Sequence, residues 1–212
     1  MYTGSSWVTI ADDDGLPVAN GGTGATTVAA AQDSLGIGLV PISPTTVEKA
    51  GAGSTATANT LGKVTFASCT SLSLNGVFSS AFNHYRIVMR VETGTNTNVS
   101  FRMRAAGTDN TESVYDRAVL LIATGGTSLI IGGTNTTGFL MDTSSVSGMA
   151  AIDMFNPFIV TYTDTAHVGS GRTYTSAVGG NVHKKSVSYD GITFVPGGGS
   201  MFGEVQVFGY NG

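Results

Sequence analysis

Apolar and polar residues alternate through much of the chain beyond Lys63. Val99, Phe101, Met103 and Ala105 interleave with Ser100, Arg102 and Arg104, the period of two that sends successive side chains to opposite faces of a strand. One face of that strand is therefore apolar, and the other carries both arginines. Short strands are also predicted over Val64 to Ala67, Tyr85 to Val91, Ala118 to Ala123, Leu129 to Ile131, Phe139 to Met141 and Ala150 to Phe155. More follow over Ile159 to Tyr162, Arg172 to Val178, Val182 to Tyr189, Ile192 to Val195 and Phe202 to Tyr210. Turn signals such as Asp190-Gly191 and Gly197-Gly198-Gly199 separate them. Many short strands at regular spacing predict a mainly β fold, a C-terminal antiparallel β-sandwich of jelly-roll-like topology over residues 62–212.

The first forty residues follow a different pattern. Trp7 to Ile10 reads as a short strand, and the acidic turn Asp12-Asp13-Asp14-Gly15 follows it. Pro17 then biases Leu16 towards extended backbone, while Gly21, Gly22 and Gly24 permit a sharp reorientation. Thr26 or Thr27 is placed to cap a helix of at most about ten residues, with Gly36 at its C-terminal end. A helix that short is marginal alone, and Val28, Ala31 and Leu35 make too narrow a stripe to fold on itself. It needs partners. Residues 41–61, rich in Pro, Thr, Ala and Gly, read as an extended linker between this 1–40 module and the sandwich.

The string Leu16-Pro-Val-Ala-Asn-Gly-Gly-Thr-Gly-Ala-Thr-Thr, continuing to Leu35-Gly36, resembles a module of bacteriophage tail fibres. In that family such segments recur along homotrimeric shafts, where three copies pack around a threefold axis. The resemblance implies an attachment and trimerisation region whose assembly residues are Trp7, Leu16, Pro17, Gly21, Gly22, Gly24, Val28 and Leu35. The ending Ile192 to Gly212, with its Gly-x-Val-x-Val-x-Gly-Tyr strand, is similar to the closing strands of sandwich domains in phage fibre and tail proteins.

Composition fits a body of short strands and tight turns. Charged residues are 11% of the 212, well below the roughly 25% of ordinary soluble domains, and Gly numbers 30 without a collagen period. The net charge of −4 and the lack of a basic run beyond His183-Lys184-Lys185 argue against nucleic-acid binding. No apolar run approaches the roughly 20 residues of a membrane span, and the opening residues do not read as a signal peptide. The single cysteine, Cys69, rules out an intramolecular disulfide and suits folding in a reducing cytoplasm; the phage resemblance implies synthesis in the host cytoplasm and a place in the virion.

Candidate chemistry is sparse. His84, His167 and His183 lack metal-site spacing and read as surface or turn residues. Cys69 reads as a buried structural thiol, and Asp12 to Asp14 as a solvated turn. No nucleophile-elbow or phosphate-loop motif occurs. Asp109 with Glu112 or Asp116 is the one carboxylate group considered for glycoside hydrolysis, with loop acids the default reading. Arg102 and Arg104 read as solvated strand residues with some capacity for anionic glycans, and Tyr115, Tyr162, Tyr174 and Tyr189 as candidates for stacking on sugars.

No catalytic, metal or cofactor site is expected. The sequence points to a homotrimeric structural virion protein, a short tail fibre meeting the host surface, with other virion proteins and host surface polysaccharide as partners. A head fibre or capsid decoration protein is the alternative, and a glycan-cleaving tailspike a further one.

Overall fold

The period-two segments build two antiparallel sheets packed face to face. The computed structural model describes residues 25, 30–31, 34–35, 38–95, 97–123, 126, 128–143, 148–171 and 174–210. Its strands are β1 (Leu39–Ile42), β2 (Thr46–Ala50), β3 (Thr55–Ala58), β4 (Val64–Cys69), β5 (Ser71–Asn75), β6 (His84–Thr93), β7 (Thr97–Ala105) and β8 (Thr108–Asp109). They continue with β9 (Tyr115–Ala123), β10 (Ser128–Asn135), β11 (Gly138–Thr143), β12 (Gly148–Phe155), β13 (Thr163–Ser170), β14 (Tyr174–His183), β15 (Gly191–Pro196) and β16 (Met201–Tyr210). The chain divides into two units, Met1–Val40 with Asn211–Gly212, and Pro41–Tyr210. In the first, Ala30, Ala31 and Ser34 are helical, and the Leu35 N–H donates to Ala31 O at 3.1 Å.

In the second unit the larger sheet runs β10-β9-β14-β13-β12-β6-β16-β4-β3, and the smaller runs β11-β7-β15-β5-β2 with β8 paired to β7. Alternation explains the packing. Tyr85, Ile87, Met89 and Val91 of β6 point inward against Val99, Phe101 and Met103 of β7 and Ile192 and Phe194 of β15, all buried in one core. β6 and β16 pair over nine residues from Tyr85↔Gly209 to Thr93↔Met201, so a contact between distant parts of the chain lies inside the larger sheet.

Gly203 (φ 152°) lies beside a register shift between β16 and β4, where a Cβ would overlap the Arg90 carbonyl oxygen of β6. Only glycine lets the strand pass there. The β7–β8 hairpin turns through Ala106 and Gly107, both at positive φ (47° and 78°), as a two-residue type I′ connection requires.

Several segments differ from the sequence expectation. Residues 41–61, read as an extended linker, contain β2 and β3, which pair with β5 and β4 on the two sheets. Their Thr/Ala/Glu/Lys sequences lack an apolar stripe because both are edge strands with exposed faces. Ile159 to Tyr162 forms local turns, with Ile159 N–H donating to Asn156 O and Thr161 N–H to Ile159 O. β14 ends at His183, and residues 184–190 run irregularly to β15. The strand β13 was not anticipated, because its inward face is polar: Thr163, Thr165 and His167 are buried while Val168 is exposed.

Candidate functional site

Of the assembly residues, Trp7, Leu16, Pro17, Gly21, Gly22, Gly24 and Val28 lie outside the described residues, as does the Asp12 to Asp14 turn. Leu35 is described. It closes a helical turn and leaves 55% of its surface exposed, a large apolar side chain open to a partner.

The polar face of the smaller sheet carries a connected network, and it corrects the reading of Arg104 as a solvated residue. Arg104 is 7% exposed. Its Nε donates to Asn75 Oδ1 at 2.6 Å, its Nη1 to Asp109 Oδ1 at 2.7 Å, and its Nη2 to Glu48 Oε2. The Thr193 hydroxyl donates to the same Asp109 oxygen at 2.6 Å, so the 2.8 Å contact between Ser73 and Thr193 has Ser73 as donor. β2, β5, β15, β7 and β8 each supply a member. One guanidinium whose three nitrogens each donate to an acceptor side chain on a different strand is a fastening between strands.

The three acids considered for hydrolysis are likewise engaged. Asp109 faces Arg104 and, at 3.9 Å, Arg102; Glu112 pairs with Lys185; Asp116 pairs with Lys184 at 2.7 Å. Hydrogen bonds from Lys184 and Thr134 hold the Asp116 carboxyl below its usual range. A general acid needs the opposite, a carboxyl raised by an apolar site. The Cys69 thiol is buried, donates to Ala67 O at 3.3 Å, and is pushed up by desolvation.

Two histidines correct the surface reading. His167 and His183 are each 2% exposed on inward faces of β13 and β14. The His167 ring sits near Phe139, with no hydrogen bond to either nitrogen, and burial lowers its pKa to about 4. His183 lies edge-on between Tyr115 and Tyr189, with centroids at 4.5 and 4.9 Å, and is also lowered to about 4, chiefly by desolvation. Both are neutral core rings at pH 7. His84 stays exposed against Phe155. Among the described residues no three His, Cys, Asp or Glu side chains cluster to hold a metal ion, and no helix is long and apolar enough to cross a membrane.

Of the tyrosines, Tyr115 and Tyr189 are buried, and Tyr162 is 49% exposed. Tyr115 accepts from the Met103 N–H at 2.8 Å, and burial raises its phenol. These two rings serve the core and are closed to sugars; the side chain of Tyr174 lies outside the described residues.

The feature that sequence reasoning missed is the outer face of the larger sheet. Ile130 of β10, Leu120 of β9, Val178 of β14, Val168 of β13, Ala151 of β12 and Val88 of β6 are successive cross-strand partners in one row. Ile130 is 77% exposed, Val168 58% and Val178 48%. A signal was present: Ala118-Val-Leu-Leu-Ile-Ala123 and Leu129-Ile-Ile131 are unbroken apolar runs, the pattern of strands apolar on both faces.

Neither a protein-family model nor a curated protein matches this sequence.

Proposed function

We propose that the protein is a non-catalytic structural component of a bacteriophage virion, a short homotrimeric tail fibre. Its N-terminal region attaches it to the particle, and its C-terminal sandwich meets the host surface. The observation that carries this reading is the string from Leu16 to Gly36, with its proline, glycine cluster, threonine- and alanine-rich run and final glycine. The exposed Leu35 and an Arg104 network given over to strand fastening support a role in assembly and adhesion. Three copies of one weak contact on a single trimer raise avidity well beyond that of each alone.

Competition for adsorption tests the reading. Purified full-length protein, added to host cells before the phage that encodes it, is expected to slow adsorption in a dose-dependent way. Unchanged adsorption at saturating protein would refute the host-contact role.

A further inference from the structure

Along β16, Val205 and Val207 turn into the core, so Phe202, Glu204, Gln206 and Phe208 fall on the outer face of the larger sheet. Their cross-strand partners on β6 are Glu92, Arg90, Val88 and Arg86. That face, aliphatic on β10, β9 and β14, here becomes a stripe of rings, carboxylates, an amide and guanidinium groups. Two depressions follow the stripe. One lies at Phe202, Glu92 and Thr65, the other at Phe208, Met149 and Lys63, and both are lined by Arg90 and Glu204. Sharing those two side chains, they make one shallow groove. Phe202, 37% exposed, stands towards one end and the half-buried Phe208 towards the other, six residues apart on one strand or about 20 Å by strand rise. The polar groups between them are open. Among the described residues, the Arg90 side chain donates only from Nη2, to Glu92 Oε1 at 3.4 Å, and the Glu204 carboxylate accepts only from Lys63, at 3.1 Å. Arg104, in contrast, has all three nitrogens taken within the protein.

We propose that this groove binds a neutral oligosaccharide segment of a bacterial surface polymer. The inference rests on the host-contact reading and names its ligand class and site. Rings towards both ends offer apolar area to the C–H faces of sugars, while the guanidinium and carboxylates between them suit hydroxyls that both donate and accept. Three observations set other occupants aside. Lys63 is balanced by Glu204 and Arg90 by Glu92, so the groove offers no net field to an anionic polymer. β16 is an interior strand, paired with β6 on one side and β4 on the other, and it presents no free edge over Met201 to Val205 for a peptide strand to join. A lipid tail or the apolar face of a helix would strip water from Arg90 and Glu204 without replacing its hydrogen bonds. Sugar hydroxyls replace them.

The test is binding of the full chain to a printed array of purified bacterial surface polysaccharides, neutral and anionic. Wild type is expected on neutral polysaccharides, with binding that survives about 0.5 M salt. Phe202→Ala and Arg90→Ala, both at exposed positions, should each weaken that binding by roughly tenfold or more with an unchanged circular dichroism spectrum. Lys185→Ala, in a separate depression beside Tyr189, should bind as wild type does. Three results would overturn the proposal: no binding to any neutral polysaccharide, binding to anionic ones alone that salt removes, or equal binding by wild type, Phe202→Ala and Arg90→Ala. Adsorption competition with the same variants separates this inference from the reading beneath it. If Phe202→Ala and Arg90→Ala compete as wild type does, the host contact stands and the groove is not its site. If the groove variants lose binding on the array while wild type fails to slow adsorption, the groove stands and the host-contact reading fails.

Discussion

Replacing His167 with Leu should remove a defined part of the protein's sensitivity to acid. The imidazole is 2% exposed, packs near Phe139 and has no hydrogen-bond partner on either nitrogen, so burial alone lowers its pKa to about 4. Unfolding returns it to about 6.5. The unfolded chain therefore binds a proton that the folded chain refuses, and stability falls as pH drops from 6.5 towards 4. At pH 5 the loss is about 2 kcal/mol for this residue. His183, also lowered to about 4, adds a similar amount. Leucine fills comparable space without a titrating group and relieves two buried, unpartnered nitrogens. Urea titrations of wild type and His167→Leu at pH 7.5 and pH 5 measure the difference. The variant should lose about 2 kcal/mol less than wild type between those pH values. Equal losses would show that His167 is not held neutral in the core.

Three further outcomes follow from other parts of the structure. Arg104→Ala, which leaves Asp109, Asn75 and Glu48 without their shared donor, should lower stability by about 3 kcal/mol, whereas Arg90→Ala at an exposed pair should stay within about 0.5 kcal/mol; denaturant midpoints compare them. A fragment of residues 41–210 should fold with a β-type circular dichroism spectrum, while one beginning at residue 62 lacks β2, β3 and Glu48 and should be markedly less stable or aggregate. Host surface polysaccharide incubated with the protein should keep its chain length with or without chelator; shortening would favour the glycan-cleaving alternative and make Asp109, Glu112 and Asp116 the first residues to mutate.

Strands with one buried apolar face were legible in the sequence. β6, β7, β12, β15 and β16 alternate visibly because their inward positions are Val, Ile, Met, Phe and Tyr. β2 and β3 were hidden because exposed edge strands carry no apolar stripe, and β13 because the usual relation between polarity and burial is reversed. β13 hides Thr163, Thr165 and His167 and exposes Val168, so its pattern reads inside out. Asn181, buried on β14, bonds the backbone of Phe139 in both directions at 2.9 and 3.1 Å, tying the edge strand β11 to the larger sheet. A side-chain amide can replace a strand partner in this way, but nothing local in the sequence announces it. The fate of Arg104 was equally hidden, because Glu48 and Asn75 reach it from 56 and 29 residues away. Of the apolar outer row, only the parts on β9 and β10 were visible as unbroken apolar runs, and only the register across β10, β9, β14, β13, β12 and β6 aligns the row.

The central proposal is that the molecule works on a phage virion, and immunogold labelling of intact particles from lysates that contain the protein tests it most directly. The account predicts gold at the tail, with label retained after the particles are washed and banded. Gold confined to the head would move the protein to the capsid. Particles without label, alongside free protein in the lysate, would contradict its assignment to the virion.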